Sequence, residues 1–179
     1  MPRPLTVSYA AFLRAVNVGT HNRVRMEDVR EALAGLGSTS VRTYLATGNI
    51  ALSSAEPAET VARRLEEALA GLGLRDVDVM VRSRDELATL AGDVFDEYPS
   101  ADYRHLAVFT RRPVEIPDRL PLAHRGLEVV AVGAALLGVI RRDAPRPVDA
   151  NAVVESIWRT RATTRWWNVV DHFRRDVLG

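Results

Sequence analysis

Between Leu5 and Arg82 the apolar pattern switches repeatedly between a period of two and a period near 3.6, and that order leaves few folds open. Leu5 to Val16 is a β-rich apolar run, after which a polar loop leads to Met26, Val29, Leu33 and Leu36 at helical spacing, with Gly37 as a stop. Val41, Thr43 and Leu45 alternate with Arg42 and Tyr44, Gly48 punctuates, and Asn49 to Ser53 resumes with Ile50 and Leu52 on one face. That is a hairpin. Pro57 opens a second amphipathic helix carrying Val61, Leu65, Ala68, Leu69 and Leu72, stopped by Gly71 and Gly73. Val77, Val79 and Val81 then alternate with Asp78, Met80 and Arg82. The order βαββαβ is the split βαβ, or ferredoxin-like, arrangement.

The second half repeats this plan loosely. Ser83 and Glu86 have capping-box spacing before a helix with Leu87 and Leu90; Tyr103 to Thr110 reads as a strand. Asp118 to Arg125 stands where a short, proline-spoiled helix is expected, and Leu127 to Val132 with Leu136 to Arg141 reads as a hairpin about Gly133. From Val148 the tail reads as helical with a break near Arg161 to Thr164, its last part placing Trp166, Val170, Phe173 and Val177 on one face as core. The expectation is an α+β chain of two ferredoxin-like domains, 1–82 and 83–179, the second a degenerate variant with C-terminal helices.

Composition narrows function by exclusion. With 24 basic against 23 acidic residues, the formal charge of +1 gives no whole-chain argument for nucleic acid or membrane. Every basic side chain is Arg, so each cationic contact is a planar guanidinium suited to carboxylate or phosphate. The absence of Cys removes disulfides and thiolate chemistry, and His21, His105, His124 and His172 lack metal-ligand spacing. No stretch approaches a membrane span and no Gly-x-Ser-x-Gly occurs. A cytoplasmic protein without metal or cofactor is expected.

Topology makes the polar punctuation marks converge. In a split βαβ the first and third strands are adjacent and antiparallel, so Asn17 to Gly19 and Gly48 to Asn49 share one sheet edge. The loop Gly19 to Arg25 enters the first helix, whose unpaired N–H groups favour an anion. Asn22, Arg23 and Arg25 supply donors, His21 can titrate near neutrality, and Arg14 ends the apolar run as an ion needing a partner. A second anion position is marked by Thr164 with Arg161 and Arg165. Each of these residues also has a purely conformational reading: Gly19 and Gly48 as turn residues, Asn17 and Asn49 as Asx turns, Arg23 and Arg25 as a solvated face, and Thr163 or Thr164 as an N-cap.

Three segments carry a family resemblance: Leu13 to Gly19 with Asn22, Val24 and Met26; Thr43 to Asn49; and Thr163 to Asn168. Together they resemble the bacterial domain of unknown function 1697 family over nearly the whole chain. The resemblance implies a pair of ferredoxin-like domains and no particular activity. Where the family has a second Gly and a Lys-rich loop, this chain has Thr20, His21, Arg23 and Arg25; in the last segment Trp166 and Val169 replace an Asn and a Thr.

Three functions fit these residues. The first is a module holding a small anion, a nucleotide or phosphorylated metabolite, on Arg14, Asn17, Gly19, Asn22, Arg23, Arg25, Gly48, Asn49, Thr164 and Arg165. The second is an acyl-phosphate or phosphate hydrolase or transferase, with Arg23 clamping phosphate and Asn49 positioning water. The third, RNA binding, is disfavoured because Asn49 to Ser53 carries no ring. Oligomeric state leaves no mark in the sequence.

Overall fold

A computed structural model describes residues 6–18, 20, 22–34 and 39–177, and only the backbone at Thr39, Asp176 and Val177. The chain is mixed α+β and divides into two compact units, one running to Asp85 and taking in the segment from Arg175, the other Glu86–Arg174.

The first unit follows the order strand, helix, strand, strand, helix, strand. Its elements are β1 (Val7–Leu13), α1 (Met26–Ala34), β2 (Thr39–Tyr44), β3 (Asn49–Ser54), α2 (Ala58–Gly71) and β4 (Val79–Ser83). The four strands form one sheet in the order β2-β3-β1-β4, with β1 antiparallel to both β3 and β4. Tyr9, Ala11 and Leu13 of β1, Ile50 and Leu52 of β3, and Val79 and Val81 of β4 project to one face, as alternation along a strand requires. Val29 and Leu33 of α1 and Val61, Ala62, Leu65 and Leu69 of α2 cover that face, so the 3.6-residue and two-residue periods close on a common core.

Helix α2 ends as its glycines predict. Gly73 has φ +85°, its N–H donates to Ala70 O at 2.9 Å, and Leu74 N–H reaches back to Leu69 O at 3.1 Å. Those bonds make a Schellman motif, with Leu69 and Leu74 both in the core. The predicted stop of α1 at Gly37, and Leu36, lie outside the described residues.

The second unit holds a short helix α3 (Arg84–Ala88, shared with the end of the first), a 3-10 turn (Gly92–Phe95), and strands β5 (Tyr103–Thr110), β6 (Leu122–His124), β7 (Leu127–Val132) and β8 (Leu136–Arg141). After these come α4 (Ala150–Trp158), β9 (Ala162–Trp166) and α5 (Trp167–His172), continued by a π-helical turn Phe173–Val177. Its sheet runs β6-β7-β8-β5-β9, antiparallel throughout. Helix α4, capped by Asp149 whose Oδ1 accepts from Ala152 N–H at 3.0 Å, packs Ala150, Val153 and Val154 against Leu106, Val108, Leu136 and Ala162.

Three expectations are corrected here. Residues 118–125 contain no helix; Pro117 and Pro121 deny a helix its donors, and Gly126 at φ +86° turns β6 back onto β7. The expected helical break and N-cap at Arg161 to Thr164 is strand β9, because the β-branched pair Thr163 and Thr164 finds a ladder partner in β5. The helix after Ser83 stops at Ala88, so Leu90 is buried from the loop beyond it rather than from a helical stripe. Among the described residues no helix is long and apolar enough to cross a membrane.

Candidate functional site

The loop from Arg14 to Arg25 departs from β1 in strained backbone: Ala15, Asn17 and Asn22 all have φ between +51° and +62°. Asn tolerates that left-handed region better than other L residues, because its side chain can bond the nearby backbone. Here both asparagines do so. Asn17 Nδ2 donates to Val24 O at 3.0 Å and to Ala46 O at 2.8 Å, while its Oδ1 accepts from Val24 N–H at 2.9 Å. Asn22 Nδ2 donates to Ala15 O at 3.0 Å and Arg75 O at 2.7 Å, and its Oδ1 accepts from Arg75 N–H at 3.0 Å. Each amide thus has both donors and its acceptor engaged by main chain, and the two hold the loop from opposite sides.

The two punctuation marks of the sequence do meet. Asn17 reaches Ala46 in the β2–β3 turn, and Leu13 N–H donates to Gly48 O at 2.8 Å. Gly48 has φ +78°, and a Cβ there would lie 2.7 Å from Leu13 Cβ, so the position takes only glycine without displacement. Asn49 is fully buried and donates Nδ2 to Tyr44 O at 2.9 Å and Thr47 Oγ1 at 3.1 Å. Both of these donor bonds go to the β2–β3 turn, so the Asn49 amide braces that turn from within the core.

Asn17, Arg23, Val24, Arg25, Asp28 and Leu72 line a cleft of about 420 Å³. Arg25 is engaged within it: Nη2 lies 2.6 Å from Asp28 Oδ1 and Nε 3.1 Å from Oδ2, and that hydrogen-bonded carboxylate raises the Arg25 pKa. Arg23 is exposed and has no carboxylate partner among the described residues. Arg14 leaves β1 with its N–H on Asp78 O at 2.8 Å and its side chain half-buried. Gly19 and His21 lie outside the described residues.

Thr164 and Arg165 belong to the second unit and point to opposite faces of β9. Thr164 Oγ1 donates to Asn151 Oδ1 at 2.7 Å. Arg165 is 8% exposed, with Nη1 donating to Thr163 Oγ1 at 2.9 Å and Thr164 O at 2.8 Å, and burial pulls its guanidinium down to about 10. No group of three or more metal-ligating side chains occurs among the described residues.

A second cleft, of about 530 Å³, escaped the sequence reading. Its lining includes Tyr103, Arg104, His105, Arg142, Trp166 and Trp167, with Ser100 and Asn168. The expected core role of Trp166 is corrected: it is 47% exposed, whereas Val170 and Phe173 are buried, because β9 and not a helix carries the ring. The signal that would have found it is the β-branched pair Thr163 and Thr164, followed after Arg165 by two tryptophans. In the cleft lining, His105 stacks on Phe95 at 4.5 Å between ring centroids, and its Nε2 meets the Tyr98 carbonyl. A carbonyl only accepts, so Nε2 carries the proton.

Tyr98 in turn donates its hydroxyl to Glu128 Oε1 at 2.8 Å, and burial together with that bond pushes the phenol up to about 12. A raised folded-state value means the stabilisation is complete below the unfolded value near 10 and is lost as pH rises through about 12. At about pH 11, wild type and Tyr98→Phe should therefore show equal phenolate absorbance. Less absorbance in the variant would mean that Tyr98 had already ionised.

The chain is thus built of two α+β units, the first bearing an asparagine-clamped loop with Arg23 and Arg25. The family model described as "Protein of unknown function (DUF1697)" matches residues 7–136, and the chain belongs to that family. A solved structure, the conserved bacterial protein SP0830 from Streptococcus pneumoniae, is similar with a TM-score of 0.64 and 19% identity over 98% of this chain and 100% of that one. At that identity the likeness carries the fold alone. No curated protein matches the sequence.

Proposed function

We propose that this protein is a small-anion-binding module of the cytoplasm, taking the phosphate of a nucleotide or phosphorylated metabolite at the loop between β1 and α1. We read its first unit as ferredoxin-like, since its sheet, taken from the other edge, runs β4-β1-β3-β2 with both helices on one face. The second unit, led by β5 and closed by β9, is read as the degenerate variant.

One observation carries the site: an exposed guanidinium without an acidic partner, Arg23, stands in a cleft on a loop fixed by two asparagine clamps. A rigid loop loses little entropy on binding, and the helix entrance adds N–H donors of the right polarity. Arg25 is the second cation, held by Asp28 until an anion competes for it. In this arrangement Asn17, Asn22, Gly48 and Asn49 shape the site and the arginines contact the ligand.

Inorganic phosphate and ribose 5-phosphate, which carry no aromatic ring, should raise the melting temperature with concentration, as mass action requires. Arg23→Ala should abolish the rise. Asp28→Asn, which releases Arg25, should tighten binding by up to about 5-fold, the scale of one exposed ion pair. An unchanged shift in Arg23→Ala, or no shift with either probe, would remove the loop from any binding role.

A further inference from the structure

We propose that the cleft of the second unit is a binding site for a nucleoside monophosphate, whose base stacks on Trp166 and whose phosphate is held by Arg142 and Arg104. It is independent of the loop site, since its lining residues all belong to the second unit.

The volume, about 530 Å³, lies in the range of small-molecule sites, roughly 300–1,000 Å³. Its chemistry is mixed in a way that names the ligand. Trp166 is 47% exposed and leaves a large apolar ring open to water, although the pairing of Trp166 with Leu106 in the β9–β5 ladder fixes the strand that carries it. The Arg104 guanidinium lies 5.9 Å from the Trp166 ring centroid, so a cation is already seated on the π system. Trp167 is held more firmly, edge-on to Phe95 at 5.3 Å and against Gly92, where a Cβ would lie 2.9 Å from Trp167 Cζ2.

Charge points the same way. Arg142 is pinned by its Nε on Ser100 O at 2.7 Å and its N–H on Asp102 O at 2.8 Å, which leaves the outer guanidinium nitrogens available. Neither Arg104 nor Arg142 makes an ion pair among the described residues, and no carboxylate lines the cleft. Two uncompensated guanidiniums select an anion, and an exposed indole selects a planar ring joined to it. The Asn168 amide, unbonded among the described residues, offers a donor and an acceptor to a base edge. Inorganic phosphate would leave the ring uncovered. A polymer is disfavoured because a net charge of +1 provides no field along a strand.

The test is titration of the whole protein with AMP, adenosine, inorganic phosphate and a short oligonucleotide, by calorimetry and by tryptophan fluorescence. AMP should bind, quench fluorescence and exceed adenosine in affinity by about 10-fold, a difference that Arg142→Ala erases. Trp166→Ala should weaken AMP by at least about 5-fold. Trp158→Phe should leave both Kd and quench unchanged, since Trp158 bonds Glu115 O outside the cleft. The proposal is overturned by absence of AMP binding at millimolar concentration, by an unchanged Kd in Trp166→Ala, or by binding of the oligonucleotide without AMP. A Kd lost in Arg23→Ala but kept in Trp166→Ala places the nucleotide at the loop instead and overturns it equally.

Discussion

Replacing Gly48 by Ala should lower the unfolding free energy by roughly 2–4 kcal/mol, about 1–2 for forcing an L residue into the left-handed region and the rest for overpacking. The geometry makes both terms unavoidable. Gly48 has φ +78°, and its carbonyl accepts from Leu13 N–H at 2.8 Å, so strand and turn are locked face to face. Antiparallel neighbours ordinarily keep Cβ atoms about 4.5–5.5 Å apart, whereas the added Cβ would fall 2.7 Å from that of Leu13. Leu13 is 1% exposed and belongs to the core beneath α1 and α2, so it has nowhere to move. For a chain of this size the melting temperature should fall by about 5–12 °C. Leu13→Ala should not rescue it, because the clashing atom is a Cβ that alanine keeps. A midpoint within about 1 °C of wild type would show that the turn relaxes freely.

That glycine also shows how far the sequence carried. Gly48 and the Asn17 segment were legible as turn signals, and the βαββαβ order was enough to bring them together, since adjacency of the first and third strands follows from topology. What the order did not reveal was the use of the amides. Asn17 and Asn22 look like ligand donors in the sequence, yet both are consumed by main chain, because three residues with positive φ need that support. Hydrogen-bond partners dozens of residues away, such as Arg75 for Asn22, leave no local trace. Arg23 gave the opposite outcome: its exposure and lack of an acidic partner keep it available.

The second unit was less legible for a related reason. Thr163 to Trp166 has the composition of a strand but comes shortly after helix α4, and strand β9 exists because β5 offers it an edge. As a helical break, the segment would place Trp166 on a buried helix face. One change of period moved it to the surface and opened the cleft it lines with Arg104 and Arg142.

Asn17→Ala should cost roughly 1.5–4.5 kcal/mol, the sum of three side-chain hydrogen bonds at about 0.5–1.5 kcal/mol each. Its partners differ in what they lose: Ala46 is exposed and its carbonyl can turn to water, while Val24 is half-buried and would keep an unsatisfied N–H and C=O. Backbone strain adds a smaller share, since φ +53° suits Asn better than Ala. Asn17→Gly separates these contributions, because glycine accepts the conformation but restores none of the bonds. If the clamp dominates, both variants should lose nearly the same stability and the Val24 amide should exchange far faster with solvent in each. If conformation dominates, glycine should behave as wild type. The comparison bears on function through Arg23, one residue from Val24: a loop released by either variant should bind phosphate more weakly even though no contacting side chain has changed, because binding would then have to order the loop. Retained phosphate affinity with a freely exchanging Val24 amide would separate the clamp from the site altogether.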